Sequence, residues 1–177
     1  ILRCLVGSEM CIRDRYEAKL TPDDIYHLSK LAIMEYLTSG ITANADMYLT
    51  PDTMIQASED CGFRTTVIGA VNDFTQSVKE VENWYEKYHK EDGLTSYELG
   101  FHAEYTTKRE ILEGISELSK KYHAPIYTHN SESASEVVQC VERTGMTPTV
   151  YMEQLGLFEY GGGSVSYTHL RAHETSQ

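Results

Sequence analysis

Positive charge is scarce in this chain. Its 177 residues hold 15 Lys and Arg against 27 Asp and Glu, a formal net charge of −12. Such a surface repels phosphates and anionic headgroups, so neither a nucleic acid nor a membrane surface is expected as partner. Long apolar runs are absent as well, and none approaches the ~20 residues that span a bilayer. Cysteine is sparse, which excludes a disulfide scaffold. Cys61 and Cys140 have no metal-type spacing and read as two reduced, partly buried thiols of a cytoplasmic protein. No Gly-rich phosphate loop follows a strand-like segment, which weakens a nucleotide-binding open sheet. There is no linker, no low-complexity tract and no repeat.

The two ends need separate treatment. Leu5 pairs with Glu174, and the pairing continues inward to Arg15 with Ser164, each pair encodable by reverse-complement codons. Met10 (ATG) faces His169 (CAT), and Cys11 (TGT) faces Thr168 (ACA). Folding physics has no reason to produce such a run, whereas one DNA cassette read on both strands does. Residues 1–15 and 164–177 therefore read as translated sequencing adapter and are set aside from fold reasoning. His169 and His173, four apart and suggestive of a zinc clamp, go with them, as do Cys4 and Cys11. The ends carry four basic and three acidic residues, so 16–163, taken as the protein domain, holds 11 and 24, a net charge of −13.

That segment alternates helix and strand. Thr21 caps a first helix, with Pro22 in its first turn and Ile25, Leu28, Leu31, Ala32, Tyr36 and Leu37 at helical spacing up to Gly40. A strand is predicted over 41–47, a helix from Pro51 to Gly62, and a strand over 64–71. An amphipathic helix follows over 75–90, then a strand over 97–102. Thr107 and Glu110 suggest a capping box for the next helix. A fourth strand is expected over 124–128. Ser133 and Glu136 suggest another capping box, for a helix reaching Thr144, and a last short helix spans 148–155. Strand–helix alternation implies parallel strands joined by crossovers. An open doubly wound sheet and part of an eight-stranded barrel both fit, and periodicity does not choose between them.

In either architecture ligands meet the carboxyl ends of the strands. The polar residues there are Asp46, Asn72, Asp73, His102, Glu104, His129 and Glu132. Histidines at equivalent ends of neighbouring strands would share one mouth, where neutral imidazole can ligate zinc. A carboxylate three residues on can shuttle protons without being a ligand. The remaining histidines, His27, His89 and His123, fall on predicted helices and read as solvated, His123 also suiting a helix C-terminal end.

Four stretches resemble a known family. They are Ser39-Gly40-Ile41-Thr42-Ala43-Asn44-Ala45-Asp46-Met47-Tyr48, Gly100-Phe101-His102-Ala103-Glu104-Tyr105-Thr106, Pro125-Ile126-Tyr127-Thr128-His129-Asn130-Ser131-Glu132, and Thr147-Pro148-Thr149-Val150-Tyr151 running on to Gly156-Leu157. In this order they are similar to motifs of the amidohydrolase superfamily, in particular its methylthioadenosine/S-adenosylhomocysteine deaminases. The resemblance implies a partial (β/α)₈ TIM barrel of about four βα units; the family attaches a small β-sandwich to this barrel. It implies one divalent metal, zinc first and iron second, with His129 as a metal ligand, Glu132 as the general acid/base and His102 as a substrate contact. The implied reaction is hydrolytic deamination of a small-molecule purine nucleoside by a cytoplasmic enzyme, itself a candidate homo-oligomer. A different amidohydrolase, acting on guanine, cytosine or a triazine, is the alternative enzyme, and a non-catalytic α/β binding domain is the alternative of another class.

The same resemblance implies ligands that 16–163 does not carry: a His-x-His pair, a further histidine and an aspartate. A catalytic zinc usually needs three protein ligands. The chain by itself is therefore expected to be inactive and to bind zinc no better than a surface histidine does. Three departures stand out. Glu104 replaces a proline and is expected to place an acid near the mouth. Tyr127 replaces a histidine. The stretch from Val67 to Ala70 lacks an arginine that would suit the carboxylate of a homocysteine moiety.

Overall fold

The computed structural model describes residues 19–165. In chain order the elements are α1 (Pro22–Thr38), β1 (Ala43–Met47), α2 (Pro51–Cys61), β2 (Arg64–Ile68), α3 (Val78–Tyr88), β3 (Thr95–Ala103), a 3₁₀ turn (Glu104–Thr106), α4 (Arg109–Tyr122), β4 (Ile126–His129), α5 (Ala134–Thr144), α6 (Pro148–Gln154) and β5 (Gly162–Val165). The five strands form one sheet in the order β1-β2-β3-β4-β5, every neighbour parallel. A doubly wound sheet reverses its strand order part-way. Here each strand lies beside its successor throughout, which is the winding of a (β/α)₈ barrel.

Local chemistry sets the helix limits. At α1 the Thr21 side chain accepts the Asp24 N–H while the Asp24 carboxylate accepts the Thr21 N–H, with Pro22 in the first turn. α2 and α5 end on left-handed Gly62 (φ 65°) and Gly145 (φ 75°), the conformation a residue without Cβ adopts most readily. α3 starts at Val78, three residues later than periodicity suggests, because Asn72 Oδ1 accepts the N–H groups of Phe74 and Thr75 and holds them in a turn. The capping box expected of Thr107 and Glu110 does not form: the N-cap of α4 is Lys108, without a side-chain cap, and the Lys108 N–H donates to Asp73 Oδ1 at 2.8 Å. A carboxylate from the preceding βα loop thus caps the start of α4 in place of the expected local hydroxyl.

β5 had no counterpart in the sequence pattern. Its Gly-rich start carries no alternation, and its place is set by parallel pairing to β4, with Ile126 beside Gly162 and His129 beside Val165.

The core lies between sheet and helices. In β3 Tyr97, Leu99, Phe101 and Ala103 are fully buried, and the first three pack with Val81, Tyr85, Leu112 and Ile115. The alternate residues Ser96, Glu98 and His102 line the other, concave face and are half-buried. α1 leaves Leu28, Leu31, Met34 and Leu37 about half exposed.

Gly100 marks a point of close approach between strands. A Cβ there would lie 2.5 Å from Gly69 O and from Ile68 Cγ2, and 2.8 Å from Tyr127 O. Two of the three obstacles are backbone, so the neighbours cannot rotate away. Gly100→Ala is expected to destabilise the fold by about 3 kcal/mol, read as a lower urea midpoint at unchanged slope. An unaltered midpoint would contradict this close approach.

Candidate functional site

Strand alternation places two histidines together. His102, near the end of β3, and His129, the last residue of β4, both project from the concave face, because their neighbours Phe101 and Thr128 point into the helical layer. Their rings meet edge to face with centroids 5.3 Å apart. Both line a mouth of about 280 Å³ whose other walls include Met47, Tyr48, Leu49, Ala70 and Asn72. The shared mouth expected of the two strand ends is therefore present.

The surroundings of His102 define its protonation. Its Nδ1 lies 2.8 Å from Thr106 Oγ1, and that hydroxyl donates to Ala103 O at 3.1 Å. With the hydroxyl proton committed to the carbonyl, His102 donates from Nδ1 and keeps its lone pair on Nε2. Burial, reinforced by the neighbouring His129, holds its pKa below the ordinary histidine value against the opposing pull of Glu132. His102 is thus a neutral imidazole at neutral pH.

Glu132 stands in the four-residue loop between β4 and α5. Its Oε2 accepts the Tyr105 hydroxyl at 3.1 Å, and its backbone N–H donates to Glu136 Oε2 at 2.7 Å. Burial, followed by the neighbouring Glu132 charge, pushes the Tyr105 phenol up to about 12, so it remains a donor at any physiological pH. Tyr105 also meets His102 edge to face, centroids 6.1 Å apart. Glu132, Tyr105, His102 and His129 therefore form one continuous cluster.

Other strand-end residues lie elsewhere. Asp46 sits with Asn44 in a separate cavity of about 250 Å³ between β1, α1 and α2, lined by Ile25, Ile33 and Met54. Burial there raises its pKa. Asp73 holds the start of α4 as described. Glu104, expected near the mouth, is only 1% exposed and turns towards α5, where Arg143 Nη2 donates to its Oε2 at 2.9 Å. Ala103, the last residue of β3, is extended, and the 3₁₀ turn that starts at Glu104 directs the carboxylate outward. Among the helical histidines, His27 is exposed, as expected. His123 is the left-handed C-cap of α4. His89 departs from a solvated reading: it stacks on Tyr85 at 4.4 Å and its Nδ1 lies 3.3 Å from Glu98. Cys61 and Cys140 are free thiols, the second buried.

Sequence reasoning missed two members of the cluster. Tyr105 lay inside a quoted motif, but only the fold brings it to Glu132, 27 residues away. Glu136 read as half of a capping box. Ser133 does accept the Glu136 N–H at 3.2 Å, but the Glu136 carboxylate bonds further back in the loop.

The mouth and its motifs agree with comparison to known proteins. The family model "Amidohydrolase family" matches residues 4–169. The chain belongs to the amidohydrolase family. It is 35% identical over 150 residues to a 5'-deoxyadenosine deaminase of Methanococcus maripaludis, covering 81% of this chain and 36% of that protein. It is 35% identical over 148 residues to a 5-methylthioadenosine/S-adenosylhomocysteine deaminase of Syntrophomonas wolfei, covering 81% and 34%. This amidohydrolase chain thus spans about a third of the length of the curated relatives it matches. An adenosine deaminase from Xanthomonas campestris, solved with bound zinc, superposes with a TM-score of 0.78 at 26% identity, over 89% of this chain and 37% of that one. A zinc-complexed atrazine chlorohydrolase from Arthrobacter aurescens gives 0.73 at 22% identity, over 86% and 40%, a likeness of fold. The five strands of this amidohydrolase are therefore a curled part of a TIM barrel.

Two imidazoles line the mouth and the Glu132 carboxylate joins them through Tyr105, yet among the described residues no group of three His, Cys, Asp or Glu is placed to hold an ion. His129, with no hydrogen bond to its ring among those found, suits a single ligand position. No helix among these residues is long and apolar enough to cross a membrane.

Proposed function

We propose that this chain is the part of a metal-dependent amidohydrolase that carries the acid/base and substrate side of its site, and that the enzyme hydrolytically deaminates an adenine nucleoside. The observation that supports this most is the unbroken run of side chains from Glu132, held by Tyr105, to the His102–His129 pair that lines the mouth. The deaminase names of the relatives support it further. A divalent metal, zinc first and iron second, bound through His129 and through ligands outside 19–165, would supply an activated water.

The chain's own residues do the rest. Glu132 Oε2 takes a proton from the attacking water and delivers it to the purine, so that oxygen replaces the C6 amino group and ammonia leaves. The Tyr105 hydroxyl holds that carboxylate in place. Neutral His102 turns Nε2 to the substrate and accepts from a hydroxyl or N–H. Met47, Tyr48 and Leu49 offer an apolar wall for the flat ring.

The test joins residues 19–165 to the remaining length of its relatives and measures ammonia released, in the presence of zinc, from 5′-deoxyadenosine, methylthioadenosine, S-adenosylhomocysteine, guanine and cytosine. Release from adenine nucleosides is expected, and none from the 177-residue chain alone. Release from guanine or cytosine instead would favour a different amidohydrolase. A folded, zinc-loaded protein inactive on every ring would favour the binding domain.

A further inference from the structure

We infer that Glu136 is the positioning residue for Glu132, an inference that rests on reading Glu132 as the acid/base. Glu136 lies in the first turn of α5 and is 4% exposed. In a reciprocal capping box its carboxylate would bond the N–H of the N-cap, Ser133. It does not. It passes the cap and accepts two loop donors instead, the Ser131 N–H on Oε1 at 3.0 Å and the Glu132 N–H on Oε2 at 2.7 Å. One buried carboxylate therefore clamps both peptide groups that lead into Glu132.

The loop needs such a clamp. Ser131 has φ +55°, a left-handed conformation that costs a non-glycine residue about 1 kcal/mol or more. Only three residues separate His129 from the Ser133 cap, too few to bury an apolar anchor. The N-terminal end of α5 favours the negative charge that holds them. The peptide plane before Glu132 sets the direction of its Cα–Cβ bond, and Tyr105 holds the other end of the side chain. Backbone clamp and hydroxyl together leave the Glu132 carboxylate one position relative to the histidine pair. Glu136 touches no reacting atom in this arrangement and acts through Glu132.

Amide hydrogen exchange on the full chain tests this, with wild type, Glu136→Gln and Glu136→Ala followed by mass spectrometry. In Glu136→Ala the amides of Ser131 and Glu132 are expected to exchange about tenfold faster or more, while those of β3 and α4 keep their wild-type rates. Glu136→Gln retains one acceptor oxygen and is expected to fall between. Unchanged exchange at Ser131 and Glu132 would overturn the inference. So would equal acceleration through β3 and α4, which marks a general support of the fold. If Glu136→Ala does not fold, Glu136→Gln decides by the same criterion. In the active, full-length protein Glu136→Gln should lower kcat about tenfold with KM within about twofold. Loosened amides with an unchanged kcat would also overturn it. A wild type without deaminase activity would instead defeat the reading of the site and leave the exchange result standing.

Discussion

Glu132→Gln in the full-length enzyme is expected to lower kcat for adenine nucleoside deamination by 10²–10⁴-fold, about the share that positioned acid–base groups contribute. The amide keeps the size of the side chain and can still accept the Tyr105 hydroxyl through its oxygen, so the loop keeps its shape. It cannot carry a proton from water to the purine. KM should change little, because His102 and the Met47–Tyr48–Leu49 wall remain. Steady-state kinetics with a fixed metal load check this. A variant within threefold of wild type would remove Glu132 from the proton path. Tyr105→Phe makes a useful companion, since it keeps the carboxylate and removes the one hydroxyl that holds it.

Arg143→Met is expected to cost about 3 kcal/mol of stability, because breaking a buried pair from one side leaves an uncompensated charge. Glu104 is almost wholly enclosed, and Arg143 donates to its Oε2, while Oε1 has no hydrogen-bond partner among the described residues. Met fills the aliphatic volume of Arg but leaves the carboxylate stranded between the 3₁₀ turn and α5. The reverse change should be mild. Glu104→Gln removes the charge that needs a partner, and Arg143, about half exposed, turns to water, so the loss should be near 1 kcal/mol. The double variant should recover most of the stability lost in Arg143→Met, giving a coupling of about 2.5 kcal/mol or more by the double-mutant cycle. Urea denaturation of the four proteins reads all of this. Equal losses in the two single variants would show that the pair is not asymmetric as its burial implies.

The site was unevenly legible beforehand. His102, His129 and Glu132, which the fold brings into one cluster, stand out in the sequence because chemistry at parallel strand ends narrows the search to a few polar residues, and motif order singles out the same three. Asp46 and Glu104 met the same criterion and yet face away. A strand end offers two faces, and a one-residue change in where the strand terminates exchanges them. Nothing in the local pattern around Glu104 tells that a 3₁₀ turn follows Ala103 and aims the carboxylate at Arg143. Glu136 shows the opposite error: the local pattern was real, with Ser133 capping the helix, but the strongest bonds of its carboxylate went to a neighbouring loop.

Periodicity and turn chemistry in the chain alone were enough for the helices, four of the five strands and the parallel character of the sheet, since those follow from the spacing of apolar side chains and from capping within a few residues. Periodicity leaves the winding of the strands open, and the motif resemblance that implied a barrel is borne out by their order; tertiary structure alone decided that a glycine-rich fifth strand joins β4 and that Tyr105 reaches Glu132. Each of these depends on pairing between segments far apart along the polypeptide, whose free energy is gained only when the whole sheet assembles. No local preference encodes it.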